Sequence, residues 1–360
     1  MIEKSSGSKK ALSFALLIVG VVLLAAALWM DFTKTYIVLN VGFDLKLRGF
    51  FLVLGALLIL AGMYFYPTVM HHRDIINILF LFPLIFTFAV TVIIPMFVGV
   101  FYSFTDWNGV TYSKFVGFQN YGTMFKDPAF MWSLLITVLF VIINMILVNL
   151  VGFLLALLCT TKLKGVGFFR AAFFLPNLIG GIVLGYVWQF AFSNVLTKIM
   201  NSNMSILAST NTAFLAIIVV YVWQYAGYIM LIYINGLATV PNDVLEAAQI
   251  DGASPIATLF KIKIPMIAST FTICTFLTLT SAFKQFDVNF ALTNGTGSVA
   301  GFMGQRLSNG TQMIALNIYN TAFARDQYGL AQAKAILFFI ILACVSLLQV
   351  RISNSKEVEL

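Results

Sequence analysis

Repeated stretches of about 20 apolar residues, each long enough to cross a bilayer core as a helix, limit what this chain can fold into. They fall at 11–30, 50–66, 75–104, 131–159, 173–192, 213–237, 266–283 and 333–350. The expectation is an all-α polytopic membrane protein with about eight transmembrane helices. Composition points the same way. Of 360 residues 61% are hydrophobic and 9% charged, and the mean hydropathy is +0.97. A soluble domain carries about a quarter charged residues to cover its surface. Here the solvent of most side chains is lipid. Pro83 and Pro95 predict kinks in the third span.

The net charge is +8, with Lys and Arg scattered through short loops. No basic stripe of the kind that binds nucleic acid is present. Loop cations instead set orientation and meet anionic head groups. With the N-terminus inside, both termini are expected to be cytoplasmic; Lys9 with Lys10, and Lys162, Lys164 and Arg170, are the main local support, while the cations as a whole divide almost evenly between the two sides. Segments 1–10, 67–74, 160–172, 238–265 and 351–360 are then cytoplasmic. Ala11 to Met30 exceeds a signal-peptide core and lacks a small-residue cleavage site, so it reads as a retained span. Cys159, Cys274 and Cys344 stand singly in or beside apolar runs and read as small hydrophobes. His71 and His72 are adjacent and share no helix face, so no metal site is expected.

Two outer segments are informative. The one around 105–130 is compact and aromatic, with Trp107, Tyr112, Phe118 and Tyr121. The one around 284–332 is rich in Gly and Asn, and Leu316 to Phe323 within it suits a short helix.

The segment Pro241 to Pro265, between the sixth and seventh spans, reads as helix, turn, helix. Pro241 can open the first helix. Gly252 suits the left-handed conformation that ends one. Ser254-Pro255 supplies an N-cap with proline at the first helical position. Two short helices at an angle make a rigid knob outside the bilayer.

These residues resemble a known family. Glu246-Ala247-Ala248, three residues, Gly252, nine residues, Ile262, one residue and Ile264-Pro265 is similar to the EAA loop of ATP-binding-cassette importer permeases. Ile264 stands where that pattern usually has Leu. Phe115 to Tyr121, Phe173 to Pro176, Phe283 to Asp287 and Thr321 to Phe323 extend the resemblance over roughly 75–355, toward MalF-like sugar permease subunits. The resemblance implies a type I importer core of six spans, 75–355, with coupling loop 241–265. Residues 1–74 would be a cytoplasmic tail plus two accessory spans, and 356–360 a cytoplasmic tail. It implies a bacterial cytoplasmic membrane, a second, MalG-like permease, two ATP-binding-cassette ATPase subunits and an extracytoplasmic sugar-binding protein. ATP and Mg would sit on the ATPases and no cofactor on this chain. Glu246, Ala247, Ala248, Asp251, Gly252, Ile262 and Pro265 would then form the ATPase contact. The large outer insertion of the maltose subunit is absent.

Tyr221, Gln224, Tyr225 and Tyr228 share one face of the sixth span, combining rings with an amide. Thr275, Thr278, Ser281 and Gln285 form a polar stripe on the seventh. Set beside the resemblance, Tyr221, Gln224, Tyr225, Tyr228, Thr278 and Gln285 fall at or near sugar-contact positions. Asn144, Asn149, Tyr186 and Gln189 are further candidates. Interhelical hydrogen bonding accounts for such residues equally well, so both roles stay open at this point.

An ion-coupled secondary transporter is the competing reading. It usually places ionisable residues within spans, whereas Lys284 and Lys334 here lie at span ends. No metalloprotease, serine-hydrolase or phosphate-loop motif occurs, so the chain is not expected to be an enzyme and would borrow its ATPase.

Overall fold

The structure, a computed structural model, describes residues 7–33, 38–40, 44–65, 72–112, 114–161, 164–201 and 203–354. His71, Lys162, the side chains of Lys9 and Lys10, and the tail 356–360 lie outside the described residues. Two compact units are present, Met1–Val98 and Gly99–Leu360.

In the first unit, α1 (Gly7–Thr33) and α2 (Leu47–Phe65) are joined through a small antiparallel hairpin, β1 (Val38–Asn40) with β2 (Asp44–Lys46). Lipid offers no hydrophobic drive between two apolar helices, so close approach at small residues holds them instead. Gly20, Gly55 and Gly62 form that seam. A Cβ on Gly55 would lie 3.0 Å from the Gly20 carbonyl, and one on Gly62 2.9 Å from Leu17 N. Ser13 Oγ donates to the Gly62 carbonyl at 2.5 Å. The next helix, α3 (His72–Phe88), runs through a π-helical turn, Ala89–Ile93, into α4 (Ile94–Tyr102). Helix assignment is continuous past Pro83. The irregularity sits just ahead of Pro95, whose missing N–H and bulky ring disturb the ladder there.

The second unit follows with α5 (Gln119–Lys126), α6 (Pro128–Cys159), α7 (Val166–Leu178), α8 (Gly181–Phe190) and a π-helical turn leading to α9 (Thr197–Ile199). Then come α10 (Thr210–Ala238), α11 (Asn242–Ile250), α12 (Pro255–Thr258), α13 (Ile264–Met266) and α14 (Ala268–Phe283). The segment after α14 carries a hairpin, β3 (Val299–Phe302) and β4 (Gln305–Leu307), then α15 (Ile314–Phe323), and α16 (Tyr328–Asn354) follows.

Among the described residues seven helices are long and apolar enough to cross a membrane. An eighth exists if Pro255–Met266 and Ala268–Phe283, bent by 71°, count as one span. Two expectations need correction. The run 173–192 is not one helix: it breaks at Ile179, which is extended, ahead of Gly180 and Gly181. The crossing helix there is Gly181–Ile199, while Val166–Leu178 is a shorter apolar helix. The seventh stretch is also shorter than expected, because Ile267 leaves the helical region at φ −107°, ψ 24°.

At the centre of this unit stands α10. Gly152 on α6 lets that helix approach Ala226 and Ile229. Gly227 admits the Phe173 carbonyl of α7, and Gly236 admits Thr270 of α14. The end of the bundle that carries the 284–332 segment is fixed by polar contacts. Trp132 Nε1 donates to the Gly310 carbonyl at 2.8 Å, and Ile314 N donates to Thr137 Oγ1 at 2.9 Å. The expected short helix in this segment is α15, beginning slightly earlier at Ile314.

Candidate functional site

The knob is built by local hydrogen bonding. At the end of α11, Ala253 N donates to the Ala248 carbonyl at 2.9 Å and Gly252 N to the Gln249 carbonyl at 3.1 Å. With Gly252 at φ +74°, this is the Schellman arrangement that closes a helix. No atom lies within 4 Å of where a Gly252 Cβ would stand. Within this chain, backbone conformation alone demands glycine; the space beside it is open. Ser254 Oγ then accepts from Ala257 N at 3.3 Å, capping α12 behind Pro255. A π-helical turn, Leu259–Lys263, precedes Pro265, repeating the pattern seen at Pro95. Pro265 thus sits inside α13, and the turn into α14 comes at Ile267.

Glu246, Ala247, Asp251, Gly252 and Pro265 are exposed, Ile262 is half-buried, and Ala248 is buried. The two alanines therefore differ in role, one facing out and one packing the knob. Sequence reasoning left three neighbours out of the contact. Ile250, Ile256 and Phe260 are 87%, 71% and 63% exposed. Their signal in the sequence was apolarity where a loop should be polar.

Within the bundle, Tyr221 is buried, stacks on Tyr225 at 4.4 Å and meets Phe140 edge-on at 5.1 Å. Its hydroxyl has no hydrogen-bond partner among the described residues. Gln224 Nε2 donates to the Ile179 carbonyl at 3.4 Å, at the break between α7 and α8. Tyr225 and Tyr228 are half-buried. Gln285 is buried with its Nε2 unpartnered. Asn144 likewise keeps an unpartnered Oδ1. Tyr186 is exposed and Gln189 half-buried.

Thr278 differs. Its Oγ1 donates to the Cys274 carbonyl at 2.8 Å and accepts from Asn149 Nδ2 at 3.2 Å. Asn149 Oδ1 in turn accepts from Tyr233 Oη at 3.0 Å. This hydroxyl is spent on the bundle. Lys334 is the other residue whose place the sequence hid. It is fully buried, and its Nζ donates at 3.0 Å to each of Asp127 Oδ2, Asn317 Oδ1 and Thr321 Oγ1.

A family model described as the binding-protein-dependent transport system inner membrane component matches residues 149–357. The chain belongs to that family. Among relatives of this permease is AmyD of Thermoanaerobacterium thermosulfurigenes, named for a starch degradation products transport system. It is 39% identical over 287 residues, covering 78% of this chain and 95% of AmyD. The multiple sugar-binding transport system permease protein MsmF of Streptococcus mutans is 33% identical, covering 73% of this chain and 90% of MsmF. In fold, the permease is similar to a chain of a bacterial ABC transporter involved in the import of the acidic polysaccharide alginate. The TM-score is 0.66 at 19% identity, over 79% of this chain and 97% of that one.

The permease is a multi-span membrane protein, and its relatives are permease subunits rather than enzymes. The candidate site has two parts. One is an exposed, capped knob with an apolar tip. The other is a buried row of rings and amides with unused polar atoms.

Proposed function

We propose that this permease is one of two membrane subunits of an ATP-driven, binding-protein-dependent importer of a carbohydrate. The knob carries the reading. Its Schellman turn at Gly252 and cap at Ser254 make it stiff, and its apolar tip is open to a partner. An ATP-binding-cassette ATPase is that partner, with Glu246, Ala247, Asp251, Gly252, Ile262 and Pro265 at the contact and Ala248 packing behind it. A second, MalG-like permease and a second ATPase complete the membrane assembly. An extracytoplasmic binding protein delivers the sugar. ATP and Mg sit on the ATPases.

The cargo follows from the names of the relatives, which transport starch degradation products and multiple sugars, and from chemistry suited to sugars. Tyr221, Gln224, Tyr225, Tyr228 and Gln285 combine ring faces with free amide and hydroxyl groups. Rings stack on sugar C–H surfaces, and the unpartnered Tyr221 Oη and Gln285 Nε2 match sugar hydroxyls. Thr278 is left out of this path, since its hydroxyl is already bonded on both sides. The termini are cytoplasmic, residues 1–74 are an accessory pair of spans with their tail, and the membrane is the bacterial cytoplasmic one.

Reconstitution of the permease with its second permease, ATPase and binding protein in proteoliposomes tests the reading. Uptake of a panel of linear and branched oligosaccharides should require both ATP and the binding protein. Uptake by the permease alone, driven by an ion gradient, would overturn it.

A further inference from the structure

We propose that Asn149 is a positioning residue for transport, tying the two helices that flank the coupling loop to each other and to α6. The inference rests on the proposed role of that loop under an ATPase.

Asn149 lies within α6 and uses both ends of its amide across helices. Its Oδ1 accepts from Tyr233 Oη on α10 at 3.0 Å, and its Nδ2 donates to Thr278 Oγ1 on α14 at 3.2 Å. The same Nδ2 also bonds the Met145 carbonyl of its own helix at 2.7 Å, which holds the amide in place. Closer to the loop, one ring from each of the three helices meets the others. Phe153 is 5.2 Å from Tyr233 and 5.2 Å from Phe271, and Tyr233 is 4.8 Å from Phe271. Closer still, Gly236 on α10 leaves room for Thr270 on α14.

The loop leaves α10 at Ala238 and re-enters the bundle at Ala268, so every layer of this stack joins the two helices that bear its push. Close packing alone resists separation but permits sliding. The amide adds what packing lacks. A shear of α10 along α14 breaks the bond to Tyr233 or the bond to Thr278, because one planar group with fixed orientation serves both. Interhelical hydrogen bonds in bilayers average only about 0.6 kcal/mol, so bundle stability does not depend on this node. Its effect lies in making three helices move together.

The test uses the complete importer in proteoliposomes, reading sugar uptake and ATP hydrolysis from the same sample. The variants are Asn149→Leu, Tyr233→Phe and the double variant, beside Gly252→Val. For the Asn149 and Tyr233 variants the expectation is full assembly and continued ATP hydrolysis, with sugar moved per ATP reduced by about two- to thirtyfold. The double variant should fall no further than Asn149→Leu alone. Tyr233→Phe keeps the ring contacts and carries the test should Asn149→Leu fail to assemble. An unchanged ratio in the Asn149 and Tyr233 variants, with Gly252→Val reducing it, overturns this inference alone. An unchanged ratio in all of them overturns the loop reading as well. A raised half-saturating sugar concentration at unchanged ratio also overturns it, and assigns Asn149 to the sugar path.

Discussion

Lys334 Nζ lies 3.0 Å from Asp127 Oδ2, joining the first part of α16 to the residue that caps α6. Asp127 meanwhile accepts from Ala129 N at 3.0 Å, so one carboxylate both starts a helix and anchors the last one. The ammonium also lies 5.2 Å from the centre of the Phe130 ring. Removing one member strands the other. Lys334→Met should destabilise the detergent-solubilised permease by about 1–3 kcal/mol, measured as a fall in thermal midpoint, since the Asp127 left behind is partly exposed. Adding Asp127→Asn should restore part of the loss, because the amide still caps α6 and no charge is left unpaired.

Gly252 separates two causes of glycine preference. Nothing in the chain crowds its Cβ position, yet its φ is +74°. Asn tolerates that conformation, while Val pays about 1–2 kcal/mol or unwinds the turn. Gly252→Val should abolish ATP-driven uptake and leave the protein in the membrane. If Gly252→Asn also abolishes uptake while the turn survives, the open space beside it is needed by the ATPase. Vesicle uptake with co-purification of the ATPase distinguishes these outcomes.

Gly227 fails differently. A Cβ there would collide with the Phe173 backbone, and a backbone cannot step aside as a side chain can. Gly227→Ala should part α7 from α10 and lower thermal stability by roughly 1–3 kcal/mol. The loss should appear with no ATPase present.

Tyr221→Phe should separate fold from function. Its hydroxyl is buried and unpartnered, so its removal should be neutral or stabilising by up to about 1 kcal/mol. Uptake should need a higher sugar concentration for half-saturation. Unchanged uptake kinetics would take Tyr221 off the sugar path.

Much of the fold was legible because it depends on neighbours in sequence. Apolar runs marked the helices, and Gly252 with Ser254-Pro255 marked the turn and cap. What stayed hidden depends on distant partners or on subtle backbone changes. Thr278 stayed open between path lining and packing, because a polar stripe on an apolar helix looks the same whether it faces a channel or a neighbouring helix. Its partner Asn149 lies 129 positions away. The break at Ile179 was passed over because hydropathy does not register a change of direction, although Pro176, Asn177 and Gly180-Gly181 stand around it. The π-helical turns ahead of Pro95 and Pro265 leave no trace in apolar periodicity. Lys334 read as a cation near a span end, because nothing local shows that Asp127, Asn317 and Thr321 converge on it.

The separation of Lys334 from Asp127, 207 positions, also sets an order of events during synthesis. At ribosomal speeds of about 5–20 residues per second, Asp127 emerges roughly 10–40 s before its partner exists. The seam of α1 and α2 needs no such wait, since both helices are made first. The tie between α6 and α16 cannot form until the last helix arrives. A nascent chain stalled before Lys334 would leave Asp127 without this partner.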